Sequence, residues 1–338
     1  MMEATVTALD LSRRLRRNRL SPAIRALVQE TRLHPSDLVS PLFVMEGEGK
    51  RDPILAMPEI DRLSIDLLVA EAKRLHSLGI QAIALFPVID SSLKDENGSE
   101  ALNAQNLACR TIENLKKEIP ELCVIIDIAL DPYTSHGHDG LVDAANGRIL
   151  NDETVAVLAE MSVILARAGA DIVAPSDMMD GRIGAIRKAL DQAELVDTSI
   201  LSYAAKYASA FYGPFRDALH SAPKFGNKKT YQMNPANRRE ASLECSLDIS
   251  EGADMLMIKP ALPYLDVIAE MRRQYTLPIA AYHVSGEYSM VMAAAEKGWI
   301  DADQVFLESL LSIKRAGADF ILSYAAGRIA EQLQRIIH

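Results

Sequence analysis

Cysteine is nearly absent. The chain has three, Cys109, Cys123 and Cys245, in 338 residues. They are widely separated and match no zinc spacing. An odd and low count fits a reducing compartment without structural disulfides, and the cytoplasm is the expected location. Long apolar runs are missing as well: none reaches the roughly 18 residues that a membrane helix needs. The first residues are acidic and polar, then basic, with no apolar segment of the secretory kind. Positive charge is not in excess either. The net charge is −10 and the isoelectric point about 5.3, which argues against general nucleic-acid binding. The local exception is RRLRRNR, Arg13–Arg19. It reads either as a solvated arm or as a segment lying across an acidic neighbouring subunit. No stretch rich in proline, glycine or serine divides the chain, and no phosphate-binding glycine fingerprint follows the first apolar run.

What is present is a rhythm. The chain is 49% hydrophobic and 24% charged, ordinary shares for a folded protein whose size suits one large α/β barrel or two smaller domains. Residues 1–38 read as an N-terminal arm, in which Ser21-Pro22 marks a helix start. Eight short apolar runs follow: Pro41–Val44, Ala82–Phe86, Val124–Ala129, Asp171–Ala174, Ile200–Tyr203, Met255–Ile258, Ile279–Tyr282 and Phe320–Tyr324. Amphipathic stretches such as Ile65–Leu78, Asp152–Ala168 and Asp301–Ala316 lie between most of them. Three helices end in glycine–alanine–aspartate before a strand, at Gly169, Gly252 and Gly317, glycine being the residue that tolerates the left-handed turn closing a helix. Eight strand-then-helix units predict an α/β fold, a (β/α)8 TIM barrel over residues 39–338. An open doubly wound sheet is the structural alternative. The longest irregular piece, Tyr212–Asn237, follows the fifth run and has the length of a lid.

In such a barrel the chemistry belongs at the C-terminal ends of the strands. Those ends carry Asp127, with Asp131 and Asp139 just beyond it, then Ser176 and Asp177, Lys206, Lys259, Ser285 and Tyr324. A rim of such polar residues is hard to explain as packing. Alone, Lys259 reads as an end residue reaching for solvent. Lys206, however, ends the preceding strand, and neighbouring strands lie about 4.8 Å apart. Two ammonium groups in one partly dry pocket depress at least one pKa, and a neutral lysine attacks a ketone to form a Schiff base. The stretch DIALDPYTSHGHDG, Asp127–Gly140, concentrates three aspartates and two histidines. It reads either as a metal or proton-transfer site or as a polar loop held by its own turns. Without a cysteine it cannot form a thiolate zinc site, and oxygen ligands suit Mg²⁺ or no metal. Arg216, Lys228, Lys229 and Gln232 on the long loop read either as a clamp for a substrate carboxylate or as an ordinary solvated loop, and the hydroxyls of Ser285 and Tyr324 suit a second carboxylate.

These residues stand in motifs that run along almost the whole chain, from about Arg14 to Ile336. They are SPLFV, the Asp127–Gly140 loop, APSDMMDGRI, SYAAKYASAFYGPFRDA, YQMNPAN, GADMLMIKP, VSGEY and RAGAD. In order and spacing they resemble the porphobilinogen synthase family, also called the delta-aminolevulinic acid dehydratase family. The resemblance implies a (β/α)8 barrel whose N-terminal arm wraps a neighbour, and assembly into a homo-octamer through those arms. It implies a lyase that joins two molecules of 5-aminolevulinate into porphobilinogen with loss of two waters, an early step of tetrapyrrole and heme synthesis. By the same resemblance Lys259 holds the first substrate and Lys206 the second. Ser285 and Tyr324 bind the first carboxylate, Arg216, Lys228 and Gln232 the second, and Asp127 and Ser176 line the pocket. The base is one of Asp127, Asp131, Asp139 or the freed Lys206.

The chain departs from the family pattern at several positions. Lys228 stands where the family usually has arginine, and lysine lacks the bidentate fork. Zinc-dependent members carry three cysteines in the Asp127–Gly140 loop, at the positions of Ala129, Asp131 and Asp139 here. The resemblance is therefore to the aspartate-rich branch without catalytic zinc. That branch implies a stimulatory rather than catalytic Mg²⁺, bound between subunits and marked by a glutamate with an aspartate four residues on. Glu244 and Asp248 match that mark, and both fall on one helix face. His138 replaces a glutamine common in the branch. Two rival readings are a class I aldolase-type lyase on the same barrel, needing one essential lysine, and a non-enzymatic assembly scaffold with Arg13–Arg19 as its binding arm. For the metal, a zinc-selective chelator should leave aminolevulinate turnover intact, because the loop has no thiolate. Complete loss of turnover restored only by Zn²⁺ would overturn this.

Overall fold

The computed structural model describes residues 10–337. The chain divides between Arg32 and Leu33 into two compact units. In the first, Pro22 opens a short helix, Pro22–Leu27, and the Ser21 hydroxyl accepts the Ile24 N–H at 3.2 Å, as the Ser-Pro pair predicts. A 3-10 turn, Leu15–Arg19, precedes it. Leu11, Leu15, Leu20 and Leu27 are exposed. The first nine residues of the expected arm lie outside the described ones.

The second unit begins with Leu33, which packs against the core, and Pro35, which is buried. The barrel within its ten-stranded sheet is built from β1 Leu38–Met45, β2 Ala82–Pro87, β3 Cys123–Ile128, β4 Ile172–Pro175, β5 Ser199–Lys206, β6 Met255–Lys259, β7 Ile279–His283 and β8 Phe320–Ser323. Each strand pairs in parallel with the next, and β8 pairs back with β1. Helices alternate with the strands: α1 Ile65–Ser77, α2 Leu107–Glu118, α3 Asn151–Arg167, α4 Arg182–Gln192, α5 Arg239–Glu251, α6 Leu265–Gln274, α7 Ala302–Ala316 and α8 Ala326–Ile337. This is a closed (β/α)8 TIM barrel, and every predicted apolar run overlaps one of its strands. Closure buries each strand on both faces, which is why the strands read as continuous apolar runs rather than alternating ones.

Two expectations change in detail. The fifth strand, expected over Ile200–Tyr203, continues to Lys206, because Ala204 and Ala205 are small and wholly buried. The irregular stretch Tyr212–Asn237 contains a helix, Gly213–Leu219, with Pro214 in its first turn. Seven residues are too few to show a helical period in sequence.

The glycine–alanine–aspartate endings do more than stop helices. Gly252 turns the chain at φ +107°, a conformation that side chains resist. The aspartates then bind backward to the preceding strand. The carboxylates of Asp171, Asp254 and Asp319 accept the N–H groups of Val124, Ile200 and Ile279, each at 2.7 Å. Their own N–H groups donate to the carbonyls of the same three residues. Each aspartate thus ties the foot of one strand to the foot of its neighbour, at the three seams β3–β4, β5–β6 and β7–β8, on the face opposite the strand ends that carry the polar rim. Asp254→Ala removes one such acceptor and should cost about 1 kcal/mol. Urea unfolding should show a lower midpoint at unchanged slope, with Asp254→Asn recovering most of the loss. An Asp254→Ala midpoint equal to wild type would remove this role.

Candidate active site

Lys206 and Lys259 face each other in register at the C-terminal ends of β5 and β6. That pairing needs an irregularity. Leu256 pairs with Ser202, but Ile258 pairs with Ala205, so Tyr203 and Ala204 together stand opposite Met257. The extra residue is a β-bulge, and without it Lys259 would pair with Ala205. It also lets Tyr203 and Lys206, three residues apart, both turn toward Lys259, which strict alternation forbids. The Tyr203 ring centroid lies 5.9 Å from Lys206 Nζ and 5.2 Å from Lys259 Nζ.

Lys259 is only 5% exposed. Its Nζ lies 4.4 Å from the ring centroid of Tyr282, 5.0 Å from Phe215 and 5.2 Å from Tyr212. The ion pairs of the site go to Lys206 and Lys228 instead. Burial first, and the Lys206 ammonium second, push the Lys259 amine down to about 7, against the pull of Asp127, Asp131 and Asp139. The depression expected from two neighbouring lysines is present, with burial as its larger cause. Lys206 donates to the Ser176 carbonyl and stands 3.5 Å from Asp139 Oδ2.

The three aspartates divide. Asp139 accepts from Lys228 Nζ at 2.5 Å, and Asp131 lies 3.3 Å from the same nitrogen. Burial opposes the charge of Asp139, but Lys228 and Lys206 outweigh it and hold the carboxyl at about 2. Burial also opposes the charge of Lys228, and Asp131 and Asp139 overcome it, raising that amine above its usual range. Asp127 is different. Burial pushes its carboxyl up to about 7 despite Lys206 and Lys259, so near neutral pH it can both take and give a proton.

Of the residues singled out in the sequence, Asp127, Asp131, Ser176, Lys206, Arg216, Lys228, Gln232 and Lys259 line one small cavity, together with Tyr212 and Phe215. Its volume is about 20 Å³, room for about one water. Asp139 lies behind Lys228. Ser285 and Tyr324 are set apart from this cavity: the Ser285 hydroxyl accepts the Phe215 N–H at 3.0 Å, and the Tyr324 hydroxyl meets that of Tyr282 at 3.0 Å. Glu244 lies elsewhere, on α5, in a groove of about 750 Å³. Its helix neighbour Asp248 is buried, bonded to the Ser202 hydroxyl and 3.5 Å from Arg182, so the two carboxylates do not act as a pair on the groove. Among the described residues no three of His, Cys, Asp and Glu are grouped to hold a metal ion. The cysteines lie in α2, at the foot of β3 and in α5. Sequence reasoning missed the aromatic cage of Tyr203, Tyr212, Phe215 and Tyr282. For three of these rings the signal was the clustering of aromatics near Lys206, in SYAAKYASAFYGPF, which does not say which rings turn inward; Tyr282 lies on another strand.

A closed β/α barrel with two lysines from adjacent strand ends lining one cavity has the arrangement of an imine-forming enzyme acting on a carbonyl compound. The chain matches the family described as Delta-aminolevulinic acid dehydratase over residues 12–332. It is 56% identical to the Delta-aminolevulinic acid dehydratase of Bradyrhizobium diazoefficiens, covering 98% of this chain and 94% of that one. It is 53% identical to the enzyme of Chlamydia pneumoniae, covering 98% and 99%. The crystal structure of the Toxoplasma gondii ME49 delta-aminolevulinic acid dehydratase (porphobilinogen synthase), in complex with its reaction product porphobilinogen, superposes with a TM-score of 0.94. That match is 52% identical in sequence and covers 96% of this chain and 92% of that one. The chain belongs to the delta-aminolevulinic acid dehydratase family. Neither the aldolase nor the scaffold reading is favoured by these matches.

The environment of Lys259 makes its pH behaviour testable without any substrate. Reductive methylation with formaldehyde and cyanoborohydride should modify Lys259 at a rate that rises with pH around a midpoint near 7, since only the free amine reacts. Lys206→Met should raise that midpoint yet leave it below the ordinary lysine value of about 10.4, because burial remains. A full return to the ordinary value would show that burial is not the larger cause.

Proposed function

We infer that the chain catalyses the porphobilinogen synthase reaction, the lyase condensation of two 5-aminolevulinate molecules into porphobilinogen with release of two waters. The observation that carries the division of labour is the in-register pair Lys206–Lys259, with the Lys259 amine poised near neutrality. Lys259 attacks the ketone of the first substrate, and loss of water leaves an imine. Lys206 does the same with the second substrate. The second imine acidifies the adjacent carbon, which loses a proton, and the resulting enamine carbon attacks the first imine. Lys259 leaves as the free amine while the attacking carbon gives up its second proton, which forms a carbon–carbon double bond. The amino group of the first substrate then adds to the second imine, closes the ring and displaces Lys206, and loss of a further proton makes the pyrrole. Both oxygens lost are ketone oxygens, and both lysines are regenerated.

Of the three candidate aspartates we assign the proton transfers to Asp127. Its carboxyl stands at about 7, whereas Asp139 at about 2 is too weak a base. Asp131 and Asp139 instead hold Lys228 and, with it, the loop that bears Gln232. Arg216, Lys228 and Gln232 bind the carboxylate of the second substrate, and Ser285 and Tyr324 that of the first. Two five-carbon acids do not fit a cavity of about 20 Å³, so the segment carrying Phe215, Arg216, Lys228 and Gln232 opens as a lid to admit them. Opening would withdraw Phe215 from Ser285 and so connect the two halves of the pocket.

Mg²⁺ fits at Glu244. This half-buried carboxylate is pushed up to about 7, by burial before all else, and shares its groove with Asp180, Glu240 and Asn151. A half-buried carboxylate with two more acidic residues lining the same groove would suit an ion that keeps most of its waters. Bound there, Mg²⁺ supplies a local positive charge with a stimulatory role. Asp131 and Asp139 are both ion-paired with Lys228, which supports a reaction without a metal at the lysines. The arm, residues 1–32 now that Leu33–Leu38 join the barrel unit, is assigned to homo-octamer assembly. The support is its basic run and its exposed leucines Leu11, Leu15, Leu20 and Leu27. The cytoplasm is the proposed location. Among the described residues no helix is long and apolar enough to cross a membrane.

Borohydride trapping with 5-aminolevulinate, followed by peptide mapping, should place the label on Lys259, and Lys259→Met should lower turnover by about a thousandfold or more. A label on another lysine, or a Lys259→Met enzyme that still turns over, would sink this assignment.

A further inference from the structure

We propose that His138 is a positioning residue that latches the lid to the barrel and thereby orients Lys228 and Gln232. The proposal rests on the reading of the lysine pocket given above, and concerns a residue outside that cavity.

The lid segment crosses the loop after β3 at Gly137. A Cβ there would come within 2.6 Å of the Ala222 carbonyl oxygen and 3.0 Å of that of Ser221, and φ is +76°. Only glycine lets these two backbones meet. One step further, the Lys224 N–H donates to the His136 carbonyl at 3.0 Å. His138 then holds the lid at two points. Its Nε2 lies 3.0 Å from the Phe225 carbonyl oxygen and its Nδ1 3.1 Å from the Tyr231 hydroxyl. A carbonyl can only accept, so Nε2 carries the proton and Nδ1 accepts from the Tyr231 O–H. The Tyr231 oxygen in turn accepts the Asp139 N–H at 3.4 Å. The Phe225 ring closes over the junction, 4.8 Å from the His138 centroid and 6.1 Å from that of His136. Burial, foremost, keeps the His138 imidazole below the usual histidine range, in the neutral form that this pattern uses.

The latch reaches the site through a rigid turn. Lys228–Thr230 is a 3-10 turn whose Lys228 carbonyl accepts the N–H groups of Gln232 at 2.9 Å and Tyr231 at 3.4 Å. Holding Tyr231 therefore holds Lys228, whose amine stands 2.5 Å from Asp139, and Gln232, which lines the cavity. His138 is 2% exposed and acts on substrate only through these residues.

Glutamine carries a donor NH2 and an acceptor oxygen on the same side chain and can replace both bonds of the neutral imidazole, whereas alanine replaces neither. Three variants of the full-length enzyme separate the roles: His138→Ala, His138→Gln and Tyr231→Phe. They are compared by steady-state kinetics with 5-aminolevulinate and by the rate of limited tryptic cleavage at Lys224 and Lys229. His138→Ala should raise KM about tenfold, with kcat changed by less than about threefold, and should speed cleavage of the lid. His138→Gln should return both readouts close to wild type, and Tyr231→Phe should raise KM about threefold. A His138→Ala enzyme with unchanged KM and unchanged lid cleavage overturns the latch. So does a His138→Gln enzyme as impaired as His138→Ala, since the imidazole itself would then be required. If His138→Ala does not fold, unchanged lid cleavage in Tyr231→Phe overturns the proposal by itself. Wild-type protein that fails to turn over 5-aminolevulinate would sink the functional reading, and the cleavage rates would still decide the latch.

Discussion

An amine that must be free near neutral pH has to be kept dry, and the rest of this site follows from how β6 does that for Lys259. The strand is buried on both faces, so its last side chain enters the barrel among rings rather than water. The second amine is brought alongside by one extra residue in β5, which shifts the register between Leu256 and Ile258. A bulge of this kind leaves two residues facing one and bends the strand. Here it also turns Tyr203 and Lys206 to the same side. The same stretch therefore brings the second cation and part of the wall that excludes water.

The barrel separates stability from chemistry by its two ends. At the strand feet Asp171, Asp254 and Asp319 occupy the seams with paired backbone bonds. At the strand ends the carboxylates are set against amines instead. Asp139 and Asp131 share Lys228, while Asp127 is left half-buried among competing charges with its carboxyl near 7. The same residue type thus has opposite protonation behaviour within one rim, because burial and cation contacts are balanced differently at each position. Closure of a parallel sheet makes this division natural, since the strand feet carry the regular hydrogen bonding and the loops above the other end are free to vary.

Much of this was legible beforehand, for identifiable reasons. Parallel strands buried on both faces leave apolar runs that stand out, and eight of them with glycine-stopped helices between specify a barrel. The motifs around Lys206, Lys259 and the Asp127–Gly140 loop pointed to the family. Other features were not legible. The helix Gly213–Leu219 is too short for a period, the β5 extension runs through alanines, and the inward turn of Asp248 depends on Ser202 and Arg182 from other elements. Glu244 and Asp248 have the right spacing for a common helix face, but spacing does not say that one of the two looks into the core.

By itself, then, the sequence determined the closed β/α architecture, the rim of polar residues at the strand ends and the presence of two lysines on consecutive strands. All three are local or periodic properties, carried by residue type and spacing. Only the tertiary structure decided that a bulge aligns Lys206 with Lys259, that four aromatic rings surround one amine, that Asp127 rather than Asp139 sits near neutrality, and that His138 reaches Phe225 and Tyr231. Each of these depends on side chains from different strands or loops meeting at one point. Burial and electrostatic balance at that point are sums over neighbours that no single stretch of the chain contains.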